Sequence, residues 1–495
     1  MNSLKAISLA ALMLALPAVS SAKSAKRGAG WDDKAVTLNA HHASLLEPGV
    51  SWVYNWGPDA ANSEIYSSDF CFIPMAWNGG YNASRIRTWL TNHPEVKYLL
   101  GFNEPNFASQ ARMTPEDAVK AWPGLEAIAE EFGVKLVAPA LNFTDSQVEG
   151  RYWDPYEWYD EFFRLYPDAK VDCLAMHCYM NWYSANTWLA TEYFYADLYN
   201  PRKDCYGHYP ALVKFLDDFK EVNGHFPRMM LTEFCSWEND GTIKNVDFQI
   251  DQMTQKLQKL EQSDLVEGYA WFMANAGSGA AAYPYMSLFE KNTADSGLSD
   301  LGKIYVYLSD FDTSRSYAPG ETVQAKDYVE ATTDDRQIKV RPNTEATSDL
   351  PLQIEIPVGG YTDYVVNIPA DGEYTFSFHI ESAKPSAITL YVDSKKDNRI
   401  DIEAAKGWHD ATLTTSLKAG IHRIMPYNSG ENSLLMNSFS FANTDAAFAL
   451  VAAEATVEGV YNLCGVSLGN PDLTTLSPGV YFLKYSDGNT SKLKI

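Results

Sequence analysis

The chain is 495 residues long, enough for two or three domains with at least one substantial core. Its 63 acidic and 39 basic residues give a formal charge of −24, which repels phosphate backbones and anionic lipid and excludes nucleic acid as an expected partner. Tyr (30), Phe (23) and Trp (13) make up 13% of the chain, a richness that suits a large core and flat, neutral, polar ligands such as sugars.

Residues 1–22, MNSLKAISLAALMLALPAVSSA, read as a secretory signal: a lone lysine (Lys5), an apolar stretch, and Ser20-Ser21-Ala22 as a small-residue cleavage site. The apolar stretch is too short for a membrane span, and no later segment offers about 20 uninterrupted apolar residues. A secreted or cell-surface protein without a membrane span, and a monomer, is expected. Of six cysteines (71, 173, 178, 205, 235 and 464), Cys173 and Cys178 fall on opposite faces of one predicted strand and would not pair with each other. Export permits a bond from Cys205 to Cys178 or Cys235, and buried free thiols are the other reading.

From about residue 50, short apolar runs alternate with amphipathic stretches. The runs are SWVYNW (51–56), FCFIPMAW (70–77), YLLGFNEP (98–105) and KLVAPALN (135–142), then CLAMHCYM (173–180), MMLTEFCSW (229–237), GYAWFMA (268–274) and YMSLF (285–289). Between them TPEDAVKAWPGLEAIAEEFG predicts a helix, with Thr114 as N-cap, Pro115 in the first turn and Gly133 as the stop. VDFQIDQMTQKLQKLEQS is apolar at helical spacing and predicts another. Eight strands alternating with helices over residues 30–315 predict an α/β chain built on a (β/α)8 TIM barrel. A doubly wound open sheet is the alternative, but no glycine-rich nucleotide loop follows the first run.

After SRSYAPGE, which reads as a linker, helical periodicity fades. Over residues 320–445 the runs QIKVRP, LQIEIPV, DYVVNIP, YTFSFHI, ITLYVD and NSFSFA, separated by turn residues, predict a β-sandwich. Residues 446–495 predict a third, small β domain ending in a strand, an SDGN turn and a final strand.

Barrel enzymes carry their chemistry at the carboxyl ends of the strands. There stand Glu104 after YLLGFN and Glu233 after MMLT, on the third and sixth of the eight runs. Asn55, Trp77, His177, Tyr179 and Trp271 also close runs. Two glutamates three strands apart face each other across the barrel mouth, as glycosidic cleavage requires. A retaining mechanism wants the carboxyls about 5–5.5 Å apart, one attacking the anomeric carbon and the other protonating the leaving oxygen. Asn103 suits a hydrogen bond to the sugar 2-hydroxyl, and Tyr179 could donate to the nucleophile and hold it ionised. His177 reads as a core or substrate-contact histidine. The nine histidines show no HExxH or equivalent spacing, so neither a metal nor another cofactor is expected.

WVYNW, FIPMAWN, YLLGFNEPN, KLVAPAL, VDCLAMHCY, LTEFCSW and YAWFM, in this order, resemble the catalytic domain of family 128 glycoside hydrolases, the β-1,3-glucanases of a retaining clan with paired glutamates. The resemblance implies a β-1,3-glucan substrate, Glu104 as acid/base, Glu233 as nucleophile, and Trp271 and Tyr179 in the sugar cleft. In that clan the glutamates stand on strands four and seven, against three and six by the runs above, at the same interval. Residues 359–382, 406–424 and 436–441 resemble strand motifs of family 6 carbohydrate-binding modules, which implies sugar contacts at Tyr361, Trp408 and Asn437. Gln324 and Lys326 occupy the places of that family's acidic pair, which speaks against calcium there. VYNLCGVSL and LSPGVYFLKYSDGNTSKLKI are similar to type 9 secretion sorting tails. The chemistry would serve another β-linked polysaccharide equally well, and a glucan-binding surface protein without turnover is the non-enzymatic alternative.

Overall fold

The computed structural model describes residues 23–143, 146–179, 209–236, 243, 245–276, 285–333, 335–345, 348–444, 457–462, 468, 480–485 and 490–494. The signal-like segment, Cys205 and Cys464 lie outside them. Cys71 and Cys173 carry free thiols.

Eight parallel strands form one sheet: β1 (Arg27–Gly30), β2 (Trp52–Tyr54), β3 (Cys71–Phe72), β4 (Tyr98–Leu100), β5 (Lys135–Val137), β6 (Cys173–Cys178), β7 (Arg228–Phe234) and β8 (Val266–Trp271). They pair in the order β3-β2-β1-β8-β7-β6-β5-β4. The edges meet where Met75, just past β3, bridges Leu100 of β4 in parallel; Leu100 N donates to the Pro74 carbonyl and Ala76 N to that of Leu100. The ring of strands is thereby closed.

The helices lie outside it: α1 (Ala40–Leu46), α2 (Ala83–Asn92), α3 (Pro115–Phe132), α4 (Pro155–Leu165), α5 (Pro210–Asn223), α6 (Val246–Gln262) and α7 (Asp300–Tyr307). α3 starts and stops as its sequence predicts. Thr114 accepts from Asp117 N, and Gly133 ends the helix at φ 66°, a left-handed conformation that glycine adopts without a Cβ clash. Among the described residues no helix is long and apolar enough to cross a membrane.

The strand count requires a correction at both ends. The barrel begins at β1, whose sequence RGAG carries no apolar run, and YMSLF is not a strand: Phe289 makes only an isolated bridge to Leu298. β1 is small because its neighbours are large. A Cβ on Gly28 would fall 2.2 Å from the Trp52 ring, so glycine there makes room for the indole inside the barrel. Glu104 therefore follows strand four and Glu233 lies on strand seven.

The sandwich packs two antiparallel sheets. β9 (Thr322–Gln324), β10 (Glu330–Ala331), β11 (Lys339–Pro342), β12 (Leu352–Ile356), β13 (Thr362–Ile368), β14 (Gly372–Glu381), β15 (Ser386–Val392), β16 (Lys395–Ile402), β17 (His409–Leu417), β18 (Gly420–Asn428) and β19 (Leu434–Asn443) follow in chain order. One sheet runs β11-β12-β19-β14-β17 with β9 on β19, the other β10-β13-β18-β15-β16. Alternation is clean in β14, where Tyr374, Phe376, Phe378 and Ile380 point inward and the residues between them outward. The sandwich grips the barrel at α6: Arg341 reaches Asp251 at 2.8 Å and Asp247 at 3.1 Å, and Gln262 donates to the Val329 carbonyl. A last sheet joins β20 (Val457–Asn462), β21 (Val480–Tyr485) and β22 (Thr490–Lys494).

Gly101 marks where β4 and β5 approach most closely ahead of Glu104: a Cβ there would meet the Val137 carbonyl oxygen at 2.6 Å. Gly101→Ala is expected to lower unfolding free energy by about 1–3 kcal/mol, as overpacked sites do, read as a lower urea midpoint at unchanged slope.

Candidate active site

Glu104 and Glu233 are each 5% exposed at the carboxyl end of the barrel. Glu104 leaves β4 with φ 44°, left-handed although Pro105 follows, a conformation that costs a non-glycine residue energy and turns its carboxylate into the mouth. Its amide donates to the Ala140 carbonyl at 2.8 Å, and its carbonyl accepts from Phe107 N at 2.9 Å. Its Oε1 accepts from Asn142 Nδ2 at 2.9 Å and lies 2.7 Å from His177 Nδ1.

Glu233 is held from the other side. Its Oε1 accepts from Trp56 Nε1 at 2.7 Å, and its Oε2 accepts from the Tyr179 hydroxyl and lies 3.3 Å from His177 Nδ1. Trp56 too is left-handed, with φ 61°. Tyr54 donates to the Thr232 carbonyl at 2.7 Å and stands 3.4 Å from Glu233 Oε1.

His177 is 0% exposed and lies beneath both carboxylates, with Nε2 3.0 Å from Thr232 Oγ1. Burial disfavours its charged form, but the Glu233 charge and the hydrogen bond and charge of Glu104 outweigh that and raise its pKa. Burial pushes the Glu233 pKa up, against the His177 charge; the Glu104 charge adds to the rise, and the Tyr179 and Trp56 donors oppose it. Burial first, and then the glutamate charges, keep Tyr179 protonated well beyond the ordinary range of a phenol, so it acts as a donor.

One donor atom each from Glu104, His177 and Glu233 lie within 4.8 Å of one another, a set that could ligate a divalent cation. With a proton on Nδ1 shared between the two carboxylates, that nitrogen has no lone pair to offer a metal. One oxygen of Glu104 thus lies within 4.8 Å of one oxygen of Glu233.

A cleft of about 1180 Å³ opens over this group. Asn103, Trp77 and Tyr179 line it as expected, together with Trp56, Phe107, Phe143 and Phe272. Asn103 is 3% exposed, donates to Gln110 Oε1 at 3.3 Å, and has an Oδ1 without a protein partner. Asn55 also lines the cleft, but its Nδ2 bonds Asp33 and the Asp59 carbonyl and its Oδ1 accepts from Gly57 N, so it braces the turn that carries Trp56.

Two expected contacts are corrected. His177 lies below the carboxylates and does not line the cleft. Trp271 is 0% exposed: its Nε1 donates to the Met286 carbonyl at 2.7 Å, its ring packs on Phe234 and Tyr305, and Phe272 takes the wall instead.

In the sandwich, Trp408 stacks on His379, which bridges Asp410 and Glu345. Asn437 is fully buried and donates to the same Glu345 at 2.7 Å. Tyr361, just ahead of β13, makes a backbone bridge to Tyr427 of β18, the neighbouring strand of the same sheet. Trp56 and Asn142, which close the first and fourth runs, join the site although sequence reading assigns them no role. Both end predicted runs, so the strand-end rule that selected Glu104 reaches them as well.

A profile of the glycosyl hydrolase catalytic core matches residues 28–201 and 203–305, more than half of the chain. The alkali-sensitive linkage protein 1 of Schizosaccharomyces pombe is 26% identical over 292 residues, 58% of this chain and 45% of that protein, so the match spans under half of the relative's length. Among solved structures, a family 128 (subgroup II) endo-β-1,3-glucanase from Pseudomonas viridiflava is 31% identical over 58% of this chain and 98% of its own, with a TM-score of 0.42. One from Sorangium cellulosum is 26% identical over 57% and 97%, with a TM-score of 0.42.

Removing a donor from the Glu233 carboxylate disfavours its charged form. Trp56→Phe and Tyr179→Phe are each expected to move the acidic limb of the kcat/KM–pH profile upward by about one pH unit.

Proposed function

The chain belongs to the glycosyl hydrolase catalytic core family, and from that premise we propose that it cleaves β-1,3-glucan by double displacement, with Glu233 as nucleophile and Glu104 as acid/base. The observation that carries this reading is the pair of buried carboxylates within 4.8 Å at the floor of an aromatic cleft. Glu233, ionised and held by Trp56 and Tyr179, attacks the anomeric carbon. The glycosidic C–O bond breaks as Glu104 gives its proton to the departing oxygen, leaving a glycosyl ester on Glu233. Glu104, now a carboxylate, takes a proton from water; the water oxygen bonds to the anomeric carbon, the ester C–O bond breaks, and Glu233 is restored with the sugar configuration retained.

Asn103 fits the 2-hydroxyl because it lines the cleft beside Glu104 with one amide atom unclaimed by protein. Such a contact strengthens as the ring approaches the oxocarbenium geometry. The β-1,3 linkage is the one implied by the ordered motifs and the one for which the Pseudomonas and Sorangium enzymes are named. Secretion, implied by the first 22 residues, would bring the enzyme to a polymer outside the cell.

Purified protein should release reducing sugar from laminarin, and NMR should show the β-anomer first. Glu233→Gln should abolish release while oligosaccharide binding persists, and Glu104→Gln should lower kcat about 10²–10⁴-fold. Unchanged activity in Glu233→Gln would overturn the mechanism, and release only from another β-linked glycan would reassign the substrate.

A further inference from the structure

The chain that leaves β4 and the chain that leaves β5 run side by side toward the cleft. Glu104 N donates to the Ala140 carbonyl and Ala140 N to that of Phe102, both at 2.8 Å, and Asn103 bridges Ala140 in parallel. Two asparagines lock the pair a step further out. Asn106 is fully buried: its Nδ2 donates to the Asn142 carbonyl at 2.7 Å and to that of Trp153 at 3.1 Å, and its Oδ1 accepts from Asn142 N at 3.4 Å. The same segment is joined to β6, since His177 N donates to the Leu141 carbonyl at 2.8 Å. Asn142 is thereby fixed between the segment that carries Glu104 and the strand that carries His177, and it lines the cleft.

Both protein donors to the Glu104 carboxyl meet the same oxygen. Oε1 accepts from Asn142 Nδ2 at 2.9 Å and faces His177 Nδ1 at 2.7 Å, whereas among the described residues Oε2 has no hydrogen-bond partner. An oxygen that accepts two N–H bonds is a poor seat for a proton, so protonated Glu104 carries it on Oε2, the oxygen left for the cleft. We propose that Asn142, held by Asn106, is a positioning residue that fixes the Glu104 carboxyl and reserves Oε2 for proton transfer. This rests on the acid/base reading of Glu104 above and adds the atom that carries the proton and the residues that select it. The proton passes from Oε2 to the departing glycosidic oxygen as its C–O bond breaks, and a proton returns to Oε2 from the attacking water. The titratable groups that face Glu104 are His177, Glu233, Tyr54 and Tyr179, and Asp32, Asp33 and Lys34 line the same cleft. An Asn142 variant keeps all of them, so a change in its pH profile reads the lost donor.

The test follows kcat/KM for laminarin against pH in the intact protein. A donor to a carboxylate favours its ionised form, so Asn142→Ala should move the alkaline limb upward by about one pH unit. Asn142→Asp, of the same size, replaces the donor with a negative charge and should move that limb at least as far. Asn106→Ala should give a smaller shift of the same sign, because Asn142 stays but loses its clamp; no shift there overturns the part of Asn106. A variant that merely folds poorly loses rate at every pH alike, so a limb that stands still in both Asn142 variants overturns the proposal. Glu104→Gln separates that outcome from failure of the underlying reading. It should abolish the alkaline limb, and a limb that survives there counts against Glu104 as the acid/base. Carboxyl NMR of isotope-labelled glutamate supplies an arm independent of turnover. In Glu233→Gln, the signal that Glu104→Gln removes should titrate at higher pH once Asn142→Ala is added, and an unmoved signal overturns the positioning role whatever the mechanism.

Discussion

The structure turns on holding two carboxylates together in a place that excludes water. Two unit charges within 4.8 Å of one another repel by at least about 3 kcal/mol at an effective dielectric constant near 20, which favours a proton or a cation between them. His177 meets that need from below, with one nitrogen within reach of both glutamates and the other set by Thr232. The total charge of the trio, rather than either glutamate alone, decides where the proton sits. The donors are divided unevenly: Trp56 and Tyr179 favour the ion at Glu233, while Glu104 has Asn142 and the shared histidine.

That arrangement depends on the barrel and on two pieces of left-handed backbone. A closed ring of parallel strands points the ends of β4, β6 and β7 at one volume, so residues more than a hundred positions apart converge without long loops. Glu104 and Trp56 then leave their strands with positive φ, which turns a carboxylate and an indole inward where extended chain would carry them past the mouth. Small residues beneath make the geometry possible: Gly28 admits the Trp52 ring and Gly101 lets β4 lie close to β5.

The sandwich docks on α6, the helix that follows β7. Arg341 pairs with Asp247 and Asp251 on α6, and the same helix holds Ser236 through Gln249 and the buried Lys256, whose ammonium burial brings down to about 8. Ser236 lies three residues after Glu233. The appended domain therefore touches an element that fixes the end of β7.

The sequence by itself determined the kind of fold and singled out two strand-end carboxylates that the fold brings together. Alternating apolar runs and helices dictate a barrel, and strand ends dictate where its polar residues cluster, because both follow from local periodicity. β1 escaped that reading, since RGAG is small for the sake of Trp52, a neighbour in space rather than in sequence. For the same reason Trp271 looked like a cleft residue and His177 like a substrate contact. Whether a side chain at a strand end faces sugar, core or another catalytic group depends on rotation and on what packs behind it. Only the tertiary structure decided that Phe272 replaces Trp271 at the wall, that His177 lies between the glutamates, and that Trp56 reaches across to Glu233, because each outcome is set by contacts among chain segments far apart in sequence.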